Sequence, residues 1–178
     1  MPHIHNQSGQ HDFTVSAFIF KTDGPEPVLL LHKHKILGKL LQIGGHVELA
    51  ENPWAAMTHE VLEESGYSMD QLKVLQPATW LKTASDAIVH PIPVSMNTHD
   101  FKVGHRHIDL EYAFVTNQLP ASPVGEGESR EFIWVTRKQL TALSDEDIFP
   151  NVRDLGEFCF TTVFKNWVPV EARQFKTL

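Results

Sequence analysis

The stretch at residues 45–67, GHVELAENPWAAMTHEVLEESGY, decides the fold of this chain. Asn52 is a good helix N-cap, Pro53 suits a first helical turn, and Gly66 is a natural exit from a helix. The spacing therefore predicts a helix of about three and a half turns between Asn52 and Gly66. Apolar side chains recur along this helix at a spacing that points them toward a core: Trp54, Met57, Val61 and Leu62.

The other face of this helix is acidic. Glu60, Glu63 and Glu64 stand at positions i, i+3 and i+4, so they share one side of the helix. Three like charges repel one another unless a cation neutralises them, and carboxylate oxygens suit Mg²⁺ or Mn²⁺. The alternative is an ordinary amphipathic helix with an acidic outer face. The glycine pair before the helix and the glycine after it disfavour that alternative.

The stretch resembles the Nudix box of the Nudix hydrolases, Gly-x5-Glu-x7-Arg-Glu-U-x-Glu-Glu-x-Gly-U, in which U is bulky and apolar. The residues that stand on the required positions are Gly45, Glu51, Glu60, Val61, Glu63, Glu64 and Gly66. The chain departs from the pattern at His59, where the family has Arg, and at Tyr67, where it prefers an aliphatic residue. Before the box, Ile43 occupies a position at which the family commonly has Pro.

The resemblance implies an α/β protein with the Nudix fold, a mixed β-sheet sandwiched between helices (α/β/α). Residues 13–178 are expected to form a single Nudix hydrolase domain with a C-terminal helix, after a flexible N-terminal segment at residues 1–12. The implied reaction is metal-dependent hydrolysis of the diphosphate linkage of a nucleoside diphosphate joined to another group X. The implied cofactor is Mg²⁺ or Mn²⁺, and the implied partner is a small-molecule diphosphate substrate.

The resemblance also implies roles for individual residues. The Gly45 carbonyl and the carboxylates of Glu60, Glu63 and Glu64 would bind the metal, and Glu51 and His59 would support the box. His offers fewer donors than Arg and is largely neutral near pH 7, so activity is expected to be weaker or more pH-dependent. The general base varies in the family, and the candidate catalytic carboxylates here are Glu63, Glu64 and, in a late loop, Glu128, with Glu126 and Glu131 as alternates.

Two strands are expected before the box, at residues 13–20 and 28–32, because both are rich in β-branched, aromatic or aliphatic side chains. The second is almost continuously apolar, which predicts a central position in the sheet. A basic loop at residues 33–39 follows, and its Lys35 could contact an anionic substrate, although solvated charges are the commoner explanation. His46, next to the glycine pair, is a further candidate substrate contact.

A strand is expected at residues 105–115, where apolar and polar side chains alternate. One face would carry Ile108, Leu110, Tyr112 and Phe114, and the other a row of His105, His107, Asp109 and Glu111. This polar row could border the site, with His105, His107 and Glu111 contacting substrate. It could equally be a solvated outer face, a buried network, or a second metal site, because imidazole and carboxylate are both metal ligands.

The remaining segments give weaker patterns. Strand structure is expected at residues 72–83 and 131–135, and an edge strand at residues 87–94, where Pro91 and Pro93 interrupt the pattern. Residues 97–104 are expected to be a loop. Helices are expected at residues 137–143, after Thr136 as N-cap, and at residues 151–166. In the N-terminal segment, His3, His5 and His11 could bind metal, but a loose terminus is the simpler expectation.

The composition argues against nucleic-acid and membrane partners. The formal net charge is −7 and no long basic run occurs, which argues against binding a nucleic acid polymer. No apolar run has membrane-spanning length and no signal-peptide pattern begins the chain, so a membrane association is not expected and the cytoplasm is the expected compartment. A homodimer is compatible with the sequence.

Two other functional classes stay under consideration. One is a catalytically weak, Nudix-like ligand-binding or regulatory module. The other is an isopentenyl-diphosphate isomerase, which shares the fold and size but needs a cysteine near the box. The only cysteine is Cys159 in a late helix, where a core position is the expected role.

Overall fold

The computed structural model describes residues 9–177 and consists of nine strands and four α-helices within that range. The strands are β1 (His11–Lys21), β2 (Val28–Lys33), β3 (Leu40–Leu41), β4 (Ile43–His46), β5 (Lys73–Pro77), β6 (Ser95–Lys102), β7 (His105–Thr116), β8 (Phe132–Thr136) and β9 (Trp167–Glu171). The α-helices are α1 (Pro53–Ser65), α2 (Arg137–Ala142), α3 (Pro150–Phe158) and α4 (Phe164–Asn166). No helix among the described residues is long and apolar enough to cross a membrane.

The strands form one mixed sheet with the order β3-β2-β1-β7-β5-β9. Strand β4 also pairs with β1, β6 with β7, and β8 with β2. The β1–β7 pair is parallel and runs from His11 opposite Arg106 to Lys21 opposite Thr116, whereas β1 is antiparallel to β2 and β4. The predicted central position of the second strand is confirmed, because β2 has β1, β3 and β8 as neighbours.

A separate hydrophobic core covers each face of the sheet. Odd-numbered residues of β1, such as Val15 and Ala17, pack with the apolar side of α1, which includes Trp54 and Val61. Even-numbered residues from Phe18 onward pack with the side chains of α2 and α3 in a second core. The expected sheet between helices is therefore confirmed, and strand alternation explains why one strand serves both cores.

Helix α1 begins and ends where its sequence predicts. The Asn52 side chain accepts a hydrogen bond from the Ala55 amide at 2.8 Å, and Pro53 is the first helical residue. Gly66 ends the helix with φ of 74°, in the left-handed region that glycine adopts at low cost. A Cβ at this position would also lie 2.1 Å from the Ser122 carbonyl oxygen, so the late loop packs directly on the helix exit.

Two predictions for the middle of the chain are wrong. Residues 87–94, expected as an edge strand, have no regular structure, whereas Ser95–Lys102, most of which was expected to be a loop, is strand β6. Pro91 and Pro93 cannot donate backbone hydrogen bonds, which prevents a regular ladder there. β6 has a polar sequence and forms because Gly104, with φ of 76°, turns the chain back so that β6 can pair with β7.

The two ends of the chain also differ from expectation. The flexible segment was predicted to extend through residue 12, but His11 and Asp12 already belong to β1, and Asp12 is buried. His3 and His5 lie outside the described residues. At the other end, the expected helix is observed as α3, a π-helical turn at Cys159–Val163 and α4, and Cys159 is a core residue as expected. Strand β9, which the sequence did not indicate, follows and pairs with β5.

Candidate active site

Two carboxylates of α1 are buried against strand β4. The Glu60 and Glu64 side chains both turn toward the glycine pair, and the two residues are 2% and 8% exposed. The Gly44 amide donates a hydrogen bond of 2.8 Å to Oε2 of Glu64. Packing of Trp54, Met57 and Val61 against the sheet sets the rotation of α1, and Glu60 and Glu64 flank Val61 on the buried side.

Gly45 makes room for the Glu60 carboxylate. A Cβ at position 45 would lie 2.3 Å from Oε1 of Glu60, so only glycine lets the strand approach the acid this closely. Oε1 of Glu60 is also buried without a hydrogen-bond partner among residues 9–177. A buried carboxylate oxygen in that state is costly unless a cation or a donor completes its environment.

Burial strongly disfavours the charged forms of both acids. It raises the pKa of Glu60 to about 7 and the pKa of Glu64 to about 8, and the negative charges of Glu63 and Glu128 raise both further. The Gly44 amide opposes part of the shift at Glu64. Carboxylates with such raised pKa values ionise readily only when positive charge is brought beside them, as a divalent cation would do.

His59 connects two other acids of the box. Its Nδ1 lies 3.4 Å from Oε1 of Glu51, and its Nε2 lies 3.0 Å from Oε2 of Glu63. Glu51 in turn accepts a long hydrogen bond of 3.4 Å from the Glu48 amide in the loop before the helix. The imidazole therefore spans the same acids that a guanidinium at position 59 could span, with one nitrogen for each carboxylate.

A late loop reaches the open side of the acidic cluster. The Gly125 amide donates a hydrogen bond of 2.7 Å to the Glu63 carbonyl, which anchors the loop to α1. Glu128, three residues on, is partly buried, and its charge raises the pKa of Glu60 and Glu64. The Lys35 ammonium donates to the Gly127 carbonyl and so joins the basic loop to the same segment.

His32 is a neighbour of the acidic cluster that sequence reasoning missed. Its Nε2 lies 4.0 Å from Oε2 of Glu64, and burial, aided by the charge of His34, lowers its pKa to about 4. The imidazole is therefore neutral at pH 7 and sits beside the acid without neutralising it. The available signal was a single polar residue near the end of an apolar strand.

The polar row of β7 lies on the face of the sheet away from α1. The predicted alternation is confirmed, but the row is the more deeply buried face near the start of the strand, so the solvated-face interpretation is wrong. Asp109 accepts hydrogen bonds from Thr14 at 3.0 Å and from Ser16 at 2.7 Å. Its pKa is raised by burial, and these two hydroxyls oppose that shift.

Glu111 lines a cleft of about 560 Å³ between β6 and α3. Asn97 donates a hydrogen bond of 2.9 Å to its Oε1, and burial raises its pKa to about 7. Asn151 and Asp154 of α3 line the opposite wall of this cleft. The cleft is open to solvent, and Val94, Leu155 and Phe158 add apolar surface to its lining.

Three further members of the predicted site meet at the start of the same face. His46, His105 and His107 lie beside Asp12, which was assigned to the flexible segment and missed as a site residue. The signal that could have found Asp12 is the alternation of polar side chains at positions 12, 14 and 16 of β1.

Comparison with known protein families agrees with this geometry. The model of the NUDIX domain matches residues 10–155. The chain belongs to the Nudix family. A comparison with curated proteins found no significant match.

Solved Nudix structures resemble the chain over most of its length. A NUDIX-family hydrolase from Clostridium perfringens has 26% identity and a TM-score of 0.66, over 84% of this chain and 95% of that chain. A Caenorhabditis elegans Ap4A hydrolase has 15% identity and a TM-score of 0.56, over 76% and 88%. The NUDIX domain of Shewanella oneidensis NrtR, complexed with ADP ribose, has 12% identity and a TM-score of 0.59, over 83% and 85%. The last two share the Nudix fold, and together with the family match the first supports a Nudix hydrolase.

Proposed function

We propose that this Nudix protein is a metal-dependent hydrolase that cleaves the diphosphate linkage of a nucleoside diphosphate joined to another group X. The observation that carries the proposal is the pair of buried acids, Glu60 and Glu64, held against Gly44 and Gly45. Oε1 of Glu60 is buried without a partner among the described residues, and a Cβ at position 45 would lie 2.3 Å from it, so a cation at this point would complete the environment of the carboxylate.

The donor set fits a hard divalent cation. Glu60, Glu63, Glu64 and the Gly45 carbonyl offer oxygen atoms only, which favours Mg²⁺ or Mn²⁺ over softer metals. Such a cation, when bound, neutralises diphosphate charge and activates water for attack at phosphorus. His59 and Glu51 act as positioning residues in this scheme, because their contacts hold Glu63 in place.

Glu128 is the proposed general base. It reaches the acidic cluster from the late loop, and its charge raises the pKa of both Glu60 and Glu64. Accepting a proton from the attacking water is the role proposed for its carboxylate, and Glu63 or Glu64 is the alternate base. Lys35, held next to Glu128 by the Gly127 carbonyl, would meet the anionic end of the substrate.

The substrate class is argued from the chemistry of the acidic cluster. A cluster that takes a divalent cation suits a diphosphate. The cleft at Glu111 opens on the face of the sheet away from α1, so it is not assigned to the same substrate. The names of two relatives agree with a nucleotide derivative, since one is an Ap4A hydrolase and the other binds ADP ribose. Cytoplasmic localisation, a single domain over residues 13–178 and homodimer formation stay predictions.

The proposal is tested by a screen of nucleoside diphosphate derivatives with Mg²⁺, with Mn²⁺ and with chelator, in which released phosphate and nucleotide are measured. Turnover should need the metal and should be lost in Glu64→Gln. Glu146→Gln is the matched control, because Glu146 is exposed and remote from the box helix in sequence. Metal-independent turnover, or full activity in Glu64→Gln, would contradict the assignment.

The second candidate is a catalytically weak ligand-binding or regulatory module. The observation that favours it is His59, because a half-exposed imidazole holds Glu63 less permanently than an arginine would. This candidate predicts tight binding of a nucleotide derivative without turnover. Calorimetry of the same compounds, run beside the activity screen, separates the two functions.

A further inference from the structure

Four residues from three strands form a compact group on the face of the sheet away from α1. This group, called the histidine cluster below, consists of Asp12, His46, His105 and His107. Asp12 stands directly opposite His107 in the parallel β1–β7 pair. His46 stands opposite Thr14 in the β1–β4 pair, and Thr14 shares a face with Asp12. The sheet register, rather than flexible loops, therefore brings the four side chains together.

The histidine cluster is buried. Asp12 is 1% exposed, His105 3%, His107 7% and His46 8%. Burying a carboxylate and three imidazoles in one place is costly unless each polar atom has a partner that survives dehydration. A bound cation is a partner that Asp12, His105 and His107 can share, because their ligand atoms lie within 4.8 Å of one another.

The distances within the histidine cluster are close to those of a coordination shell. Oδ2 of Asp12 lies 3.2 Å from Nε2 of His105 and 3.6 Å from Nε2 of His46. Ligand atoms of Asp12, His105 and His107 all lie within 4.8 Å of one another. Ligands about 2.0–2.1 Å from a tetrahedral Zn²⁺ are separated by roughly 3.3 Å. Asp12, His105 and His107 are therefore near the spacing of such a shell, and His46 adjoins it through its contact with Asp12.

The neighbouring rings hold His107 in position. Phe101 stacks on it at a centroid distance of 4.7 Å, and His99 packs edge-on at 5.5 Å. The His46 ring approaches it edge-on at 5.0 Å. Phe101 and His99 thus restrict the orientation of the His107 ring from outside the proposed shell, as outer groups commonly do for metal ligands.

The donor atoms differ in kind from those of the box. The histidine cluster offers three imidazole nitrogens and one carboxylate, whereas the box offers oxygens only. Imidazole nitrogen suits Zn²⁺ and other late first-row divalent cations, while an all-oxygen site suits Mg²⁺ or Mn²⁺. The two sites would therefore select different metals.

We propose that Asp12, His46, His105 and His107 bind Zn²⁺ or a similar late first-row divalent cation, at a site separate from the box carboxylates. The inference rests on the cluster geometry and does not depend on the proposed hydrolysis. His46 directly follows Gly45, whose carbonyl is one of the proposed ligands of the box metal. A metal on the histidine cluster would tie β1, β4 and β7 together and so fix the strand that carries Gly45.

The competing explanation is a set of ion pairs in which Asp12 balances protonated imidazoles without any metal. The two explanations are distinguished by measuring the metal content of the purified full chain after it has been stripped with chelator and reloaded with Zn²⁺ or Co²⁺. The proposal predicts one tightly held equivalent, intense visible absorption of the Co²⁺ form typical of tetrahedral geometry, and a higher Tm with Zn²⁺.

Two double variants test which residues bind the metal. Asp12→Asn with His107→Gln should lose that equivalent, the Co²⁺ absorption and the Zn²⁺-dependent rise in Tm. Glu60→Gln with Glu64→Gln should keep all three. His11→Ala is the matched control, because His11 is exposed and adjacent to Asp12 on the same strand.

Three results would overturn the proposal: no retained Zn²⁺ in the wild type, retention in the Asp12 and His107 variant, or loss in the Glu60 and Glu64 variant. If the Asp12 and His107 variant does not fold, the Co²⁺ spectra of the wild type and of the box variant decide. Intense tetrahedral bands in both support the site, and their absence from either contradicts it.

Discussion

Nε2 of His59 lies 3.0 Å from Oε2 of Glu63, one helical turn further along α1. The other nitrogen of the same imidazole lies 3.4 Å from Glu51. The side chain that departs from the family pattern thus still connects the start of the box to a proposed metal ligand. What it lacks is the permanent charge and the additional donors of a guanidinium.

His59→Arg should therefore keep or raise activity and should flatten the pH dependence between about pH 6 and 8. A guanidinium can contact both carboxylates and stays charged throughout this range. The measurement is kcat/KM against pH, with His59→Gln as a neutral control that should be less active than the wild type. A folded but inactive His59→Arg protein would indicate a site rebuilt around the imidazole.

Glu64→Gln should separate activity from stability. Turnover should fall by orders of magnitude, because interactions with a catalytic cation contribute several kcal/mol to the barrier. The metal-free variant should be at least as stable as the wild type at pH 8, because a neutral amide avoids the cost of burying a charge and can still accept from the Gly44 amide. Activity assays and thermal melts test both parts, and a large fall in Tm would contradict the second.

The stability of the metal-free protein should fall as the pH rises from 6.5 to about 8. Glu60 and Glu64 keep their protons in the folded state up to about pH 7 and 8, whereas in the unfolded state they have released them above their usual value of 4.5. The folded state therefore binds more protons in this window, and raising the pH favours unfolding. Below pH 6.5, the titration of His32 makes the stability rise with pH, because burial lowers the pKa of this imidazole from 6.5 to about 4 and the unfolded state therefore binds more protons there.

Urea melts with and without Mg²⁺ measure this dependence. Saturating Mg²⁺ should remove most of the fall, and Glu60→Gln with Glu64→Gln should remove it without metal. Glu111, whose pKa burial also raises to about 7, should leave a smaller residual fall in both cases. Stability that rises with pH across this window would contradict the burial of the two acids.

Gly45→Ala should weaken Mg²⁺ binding more than it weakens the fold. The added Cβ would meet only the end of the Glu60 side chain, at 2.3 Å from Oε1, and that flexible side chain can swing away. Displacing this carboxylate removes one proposed ligand. Gly24→Ala is the control, because its nearest contact would be an ordinary 3.6 Å. Calorimetric Mg²⁺ titration with a thermal melt tests this, and wild-type affinity in Gly45→Ala would contradict it.

Glu128→Gln should lower kcat by about 10²–10⁴-fold if its carboxylate is the general base, while KM changes little. Glu126→Gln and Glu131→Gln should have small effects, since only Glu128 among the three acts on the pKa of Glu60 and Glu64. Single-turnover kinetics on the three variants distinguish them. A larger loss in Glu126→Gln or Glu131→Gln would move the base to that residue.

The parts of the fold that could be predicted are those whose signals are local. Asn52, Pro53 and Gly66 fix the bounds of α1 within one stretch of sequence, and alternation assigned the faces of β7 correctly. Alternation could not predict which face of β7 is buried, because burial depends on the segments of the chain that pack against each face. The row that contains Asp109 is polar and nevertheless buried, since Thr14 and Ser16 of a distant strand supply its donors.

The errors follow from the same physical limit. β6 is polar and forms only through its pairing with β7, while β9 depends on an edge offered by β5. Asp12 was missed because its partners in the histidine cluster come from strands far along the chain. Local sequence gives secondary structure where the signal lies within a few residues, but side-chain neighbours across a sheet depend on register.

The parallel pairing of β1 with β7 has a consequence for how the chain assembles. Thr14 and Asp109 are separated by 95 positions, so this central ladder closes a very long loop and is slow to form. During synthesis, one edge of β1 can pair early with β2 and β4, but the other edge must wait until residue 116 has left the ribosome. A nascent chain shorter than this exposes an unpaired, apolar strand edge, and that interval is when chaperone binding should matter most.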